Sequence, residues 1–91
     1  MMTFEEAATR LVELALARGG TLTAAEVEAD QELSAEQDVV SAAARALAGG
    51  TNVISAGERD DGWFPYSTLT FSEIYGRSRG NTGWKRVLNR R

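Results

Sequence analysis

Ninety-one residues, 43% of them apolar and 25% charged, make one small domain of ordinary globular composition, with no material for a second core. The chain has neither cysteine nor histidine, which excludes a disulfide framework, thiolate and imidazole metal sites, and nucleophile pairs of the Ser-His or Cys-His kind. The net charge of −3 conceals a division: residues 1–76 carry all 13 acids and only Arg10, Arg18, Arg45 and Arg59, whereas residues 77–91 carry Arg77, Arg79, Lys85, Arg86, Arg90 and Arg91 and no acid. An acidic body with a basic tail points to an interaction segment, or to a tail that lies on its own body.

In chain order, Thr3 and Glu6 form the first capping box, the hydroxyl bonding the amide three residues on while the carboxylate reaches back. The helix it opens, over about 4–18, sets Phe4, Ala8, Leu11, Val12 and Ala15 on one face. Gly19-Gly20 ends it, because glycine takes the left-handed conformation past a helix without a Cβ penalty. Thr21-Leu22 is too short for more than one bridge of strand. Thr23 and Glu26 repeat the box, with Leu22 and Val27 as the matching staple, and open a second helix over about 24–32. Its Glu26, Glu28, Asp30 and Glu32 are expected to stand in solvent. Ser34 and Gln37 make a third box for a helix over about 35–48 that buries Val39 or Val40 with Ala43, Ala44 and Leu47, and stops at Gly49-Gly50. Each cap contributes about 1 kcal/mol, which counts in a chain that buries only about 60–65% of its unfolded surface.

After the second glycine pair the apolar period falls to two. Thr51 to Ala56, with Val53 and Ile54, reads as a strand; Asp61-Gly62 signals a hairpin turn, both residues tolerating positive φ; Trp63 to Phe71 reads as the returning strand. Pro65 cannot donate to a ladder and belongs at an edge or a bulge. Two strands are not stable alone, so Ile54, Tyr66, Leu69 or Phe71 must pack on the helices.

The Gly19-Gly20-Thr21-Leu22-Thr23 step, the short turn at Leu33-Ser34 and the Gly49-Gly50 approach to the hairpin resemble a winged helix-turn-helix domain over residues 3–71. The resemblance lies in the order of elements. It implies an α+β fold in which three helices pack with a C-terminal β-hairpin, making a winged-helix-like domain over 1–75 followed by a basic amphipathic tail over 76–91. A three-helix bundle carrying an independent β-ribbon is the other architecture the pattern allows.

In most such domains the third helix enters the major groove and the wing touches the backbone, which would fall here on Ser34–Ala48 and Gly57–Gly62. Phosphate contact needs cations or neutral donors. The first half of that helix instead carries Glu36 and Asp38, with Arg45 near its far end, and the wing reads Glu58-Arg59-Asp60-Asp61. Gln37 and Ser41 could read bases but could not offset the repulsion. In the tail, Trp84, Val87 and Leu88 fall at i, i+3, i+4 with Lys85, Arg86 and Arg90 opposite, a basic amphipathic segment too short to be stable alone. It suits an apolar anchor into a partner, or a nucleic-acid clamp with Trp84 stacking on a base.

No enzymatic constellation survives. Asp60-Asp61-Gly62 lacks the alternating ligands of a calcium loop, and Gly80 to Lys85 lacks the spacing and following hydroxyl of a phosphate loop. The expectation is a non-enzymatic protein–protein interaction module of winged-helix type, self-associating as a homodimer or part of a regulatory assembly. Trp63, Tyr66, Trp84, Val87 and Leu88 are its partner-binding residues. The alternative is a DNA-binding regulator whose Arg77, Arg79, Lys85, Arg86, Arg90 and Arg91 hold phosphates; a third is an acidic mimic of nucleic acid. No cofactor, metal or small-molecule substrate is expected. Without an apolar run near the roughly 18 residues needed to span a bilayer, and with an acidic Met-Met-Thr-Phe-Glu-Glu start, the expected location is cytoplasmic, away from membranes.

Overall fold

The structure, a computed structural model, describes residues 1–49 and 53–71, and for 53–55 the backbone alone. The tail residues Arg77, Arg79, Trp84, Lys85, Arg86, Val87, Leu88, Arg90 and Arg91 lie outside the described residues, as does the packing of Ile54.

Helix α1 spans Phe4–Ala17 and starts on the expected box: the Glu6 amide donates to Thr3 Oγ1 at 3.1 Å and the Thr3 amide to Glu6 Oε1 at 2.8 Å. At its far end the Gly20 amide reaches back to the Ala15 carbonyl at 2.7 Å and the Gly19 amide to Leu16 at 3.2 Å, the paired bonds of a Schellman turn. Both glycines have positive φ, +80° and +100°. The turn feeds strand β1 (Thr21–Thr23), and Thr23 is also the cap of α2 (Ala24–Ala29), whose box with Glu26 is complete. Leu22 and Val27 are both fully buried.

The next segment departs from expectation. The second helix does not run on to 32, and Ser34 caps nothing. Asp30 takes an extended conformation (φ −78°, ψ 118°), breaks the helix, and accepts the Leu33 amide at 3.0 Å to cap a new short helix α3, Gln31–Ala35. Aspartate equals serine as a cap, and here its carboxylate is also held by Arg10, so it captures the boundary. Ser34 sits inside α3, and helix α4 runs Gln37–Gly49 after a second break at Glu36 (φ −121°, ψ 51°). The helices therefore number four among the described residues. On α4 the buried residues are Val40, Ala43, Ala44 and Leu47.

Strands β2 (Val53–Glu58) and β3 (Tyr66–Phe71) pair antiparallel, and β3 pairs on its other edge with β1, so the hairpin is part of a three-stranded antiparallel sheet of order β1-β3-β2. Thr21, Leu22 and Thr23 oppose Thr70, Leu69 and Thr68, more than the single bridge expected of so short a segment. The fold is thus mixed α+β, with α1 packed on α4 and the sheet closing the core.

The turn is also longer than Asp61-Gly62 suggests. Residues 59–65 form a loop in which only Gly62 has positive φ (+81°), and the returning strand begins at Tyr66 rather than Trp63. The Arg59 amide donates to the Pro65 carbonyl at 3.1 Å, which closes the loop just before the strand. Phe64 hangs from this loop into the core and is the largest fully buried side chain of the described residues. It joins Leu11, Leu22, Leu33, Leu47 and Leu69, with Val12, Val27, Val40 and Phe71 around it, so that the four helices, β1 and β3 all contribute to the core.

Candidate interaction surface

The carboxylates of α2 and α3 are not the free, solvated row their spacing suggests. Each meets an arginine from elsewhere in the chain. Glu26 is paired with Arg18 at the end of α1; Glu28 Oε2 lies 2.7 Å from Arg59 Nη1 in the β2–β3 loop; Asp30 Oδ2 and Glu32 Oε1 lie 3.0 and 3.3 Å from Arg10 Nη2 in mid-α1. Arg59 also reaches Asp61, at 3.4 Å. Solvent-exposed pairs of this kind contribute little to stability and are screened by salt. Their larger consequence is that Arg10, Arg18 and Arg59 are spent on internal contacts. Among the described residues only Arg45, exposed on α4, is a cation without an ion pair.

Asp30 is the most enclosed of these acids. Burial pushes its carboxyl upward, but the Leu33 amide and the Arg10 guanidinium outweigh that and hold it below the ordinary aspartate value. A carboxyl lowered on folding adds stability above its unfolded pKa and loses it as pH falls through the folded value, so this contribution disappears in acid. Asp30→Ala is expected to cost about 1–2 kcal/mol at neutral pH through the lost cap. Asp30→Asn, which can still cap, should cost less. In both variants urea unfolding should show a shallower loss of stability below about pH 4 than in the parent chain.

The start of α4 and the β2–β3 loop form the face that would meet a duplex. At the start of α4, Gln37 and Asp38 are exposed and Glu36 is half-buried, one Glu36 oxygen accepting the Met2 amide at 3.2 Å. Ser41 is not free to read a base, since its hydroxyl donates to the Trp63 carbonyl at 3.0 Å and ties the β2–β3 loop to α4. In the loop, Arg59 is turned toward Glu28 while Asp60 and Asp61 stay exposed. Beside this face an open crevice of about 500 Å³ lies between the N-terminus, α1 and α3, lined by Met1, Met2, Glu6, Glu13, Glu32 and Glu36, with Arg10 at its wall. It too is dominated by carboxylates, and no group of acids among the described residues is spaced to hold a metal ion.

Of the five residues expected to bind a partner, two are described. Trp63 and Tyr66 are both half-buried and flank Phe64: the Trp63 ring stands edge-on to it at 5.8 Å and 86°, and the Tyr66 ring at 6.5 Å and 75°. One side of each ring therefore rests on the core, and the remainder borders the loop. Sequence reasoning missed Phe64 and the Arg59–Glu28 pair. Phe64 follows Trp63 in a stretch read as alternating strand, and nothing local connects two residues 31 positions apart.

Comparison with protein-family models, with curated proteins and with solved structures finds no match to the chain. Among the described residues, no helix is long and apolar enough to cross a membrane.

Proposed function

We propose that the chain is a non-enzymatic protein–protein association module built on a winged helix-turn-helix frame, self-associating or seated in a larger regulatory assembly. The frame is supported by the order of elements, with α2 and α3 together in the place of the second helix and α4 in that of the third. It is supported also by the sheet order β1-β3-β2, which puts the strand between the first two helices beside the returning strand of the wing.

One observation carries the preference for protein over nucleic acid. Arg10, Arg18 and Arg59 are all consumed in internal pairs, while Glu36, Asp38, Asp60 and Asp61 occupy the helix start and wing that such a frame would offer to phosphates. Affinity for a duplex comes chiefly from neutralising phosphates. A body arranged this way repels them, and the six cations of residues 77–91 would have to supply most of the attraction, Arg45 being the one described arginine without an internal pair. The same tail carries Trp84, Val87 and Leu88, which together with Trp63 and Tyr66 suit an apolar anchor better than a phosphate clamp. Sedimentation of the full chain with a labelled duplex tests the proposal: the protein should form larger species with protein, and the duplex should sediment at its free rate.

A further inference from the structure

The exposed face of α4 has a charge pattern that complements itself. Asp38 and Arg45 are both exposed, are seven residues apart on nearly the same line of the helix, and have no ion-pair partner among the described residues. Seven residues span about 10.5 Å along the axis, too far for the two to pair within one chain. Ala42 lies midway between them on that line, and Ala46 and Gly49 continue the exposed surface without bulk. The opposite side of the helix is the one buried through Val40, Ala43, Ala44 and Leu47, so this face is free of the core.

We propose that α4 pairs antiparallel with α4 of a second copy of this chain about a twofold axis beside Ala42. Each Arg45 then meets the Asp38 of the other copy, giving two symmetry-related ion pairs that flank a close approach of the small residues. A twofold contact requires a patch that complements itself, and a cation and an acid set symmetrically about one small residue meet that requirement. Short side chains at the crossing let two helix axes approach to about 8 Å, within reach of both ion pairs. In a body whose other described cations are all paired internally, Arg45 is the one left for an external acid. A single helix face is smaller than the roughly 800 Å² per partner of a standard interface, so the dimer is weak and concentration-dependent. The inference rests on the association reading and gives it a surface and a partner.

The test uses the full chain and two single variants, Asp38→Arg and Arg45→Asp, each in sedimentation equilibrium over about 1 μM to 1 mM. Both substitutions are at exposed positions and should leave thermal unfolding within a few degrees of the parent. Each variant alone sets like charges against each other at both pairs and should dimerise at least about tenfold more weakly than the parent chain. Mixed in equal amounts, they should recover the parent's association, because position 38 of one variant then faces position 45 of the other with opposite charge at both pairs. Parent-like self-association in both single variants would overturn this face while leaving association itself in place. Weakened variants whose mixture is not restored would overturn the antiparallel pairing. A parent chain monomeric at every concentration would remove the proposal together with the self-associating form of the function.

Discussion

Replacing Phe64 with alanine is expected to lower the stability of the domain by about 3–5 kcal/mol, the usual cost of removing a fully buried ring. A chain of this length has about 5–13 kcal/mol in all. The midpoint of thermal unfolding should therefore fall by roughly 20 °C, measurable by circular dichroism. The size of the effect follows from where the ring sits. Phe64 belongs to the 59–65 loop, yet among the described residues it is the largest side chain sealed in the core, and Trp63 and Tyr66 stand edge-on against it. Without it the loop loses its anchor, and Trp63 and Tyr66, the two aromatic side chains proposed to meet a partner, lose the surface that orients them. Phe64→Leu keeps most of the volume and should lose about a third as much. If Phe64→Ala unfolds within a few degrees of the parent, the loop is not held by this residue.

Gly20→Ala should cost about 3 kcal/mol, whereas Gly19→Ala, its neighbour in the same turn, should cost about 1 kcal/mol. Both glycines have positive φ, so the backbone penalty applies to each. They differ in what an added Cβ would meet. At Gly19 there is nothing within 4 Å; at Gly20 the Cβ would stand 2.5 Å from the Phe71 carbonyl oxygen, which belongs to the backbone of β3 and cannot swing away. The Phe71 amide also donates to the Gly20 carbonyl, so Gly20 joins the end of α1 to the end of the central strand. Urea unfolding of the two variants measures the difference. Equal losses would mean that the contact with β3 is not a constraint.

The parts of the fold legible in the sequence are those decided by residues close in the chain. Thr3 with Glu6 and Thr23 with Glu26 announce two helix starts because a capping box is complete within four residues. Gly19-Gly20 announces a stop for the same reason. The inner face of α4 is legible from its helical period. What was not legible depends on partners far away. Asp30 and Ser34 are comparable caps taken locally, and it is Arg10, twenty residues back, that favours a break at Asp30. Thr21–Thr23 becomes a strand only because β3, nearly fifty residues later, has an edge to fill. The surface was legible in part. The acidity of the helix start and loop is read directly from Glu36, Asp38, Asp60 and Asp61, but the capture of Arg59 by Glu28 and of Ser41 by the Trp63 carbonyl is not.

These hidden contacts bear on function more than on stability. The five ion pairs, open to solvent on at least one side, add little to the folding free energy. They do remove three of the four described cations, and Ser41 with them, from any outward role, leaving Arg45 and Asp38 as the charges α4 presents. Within the described body, three of the four arginines are held in internal ion pairs, while Asp38, Asp60 and Asp61 stand exposed.

The most direct test is sedimentation velocity of the full chain mixed with an equal amount of fluorescent duplex at about 50 mM salt, where a contact with about six phosphates would be strong. The account predicts a protein boundary that moves faster as protein concentration rises and a duplex boundary that does not shift. Co-sedimentation of protein with duplex, lost on raising salt with a log–log slope near −5, would contradict it.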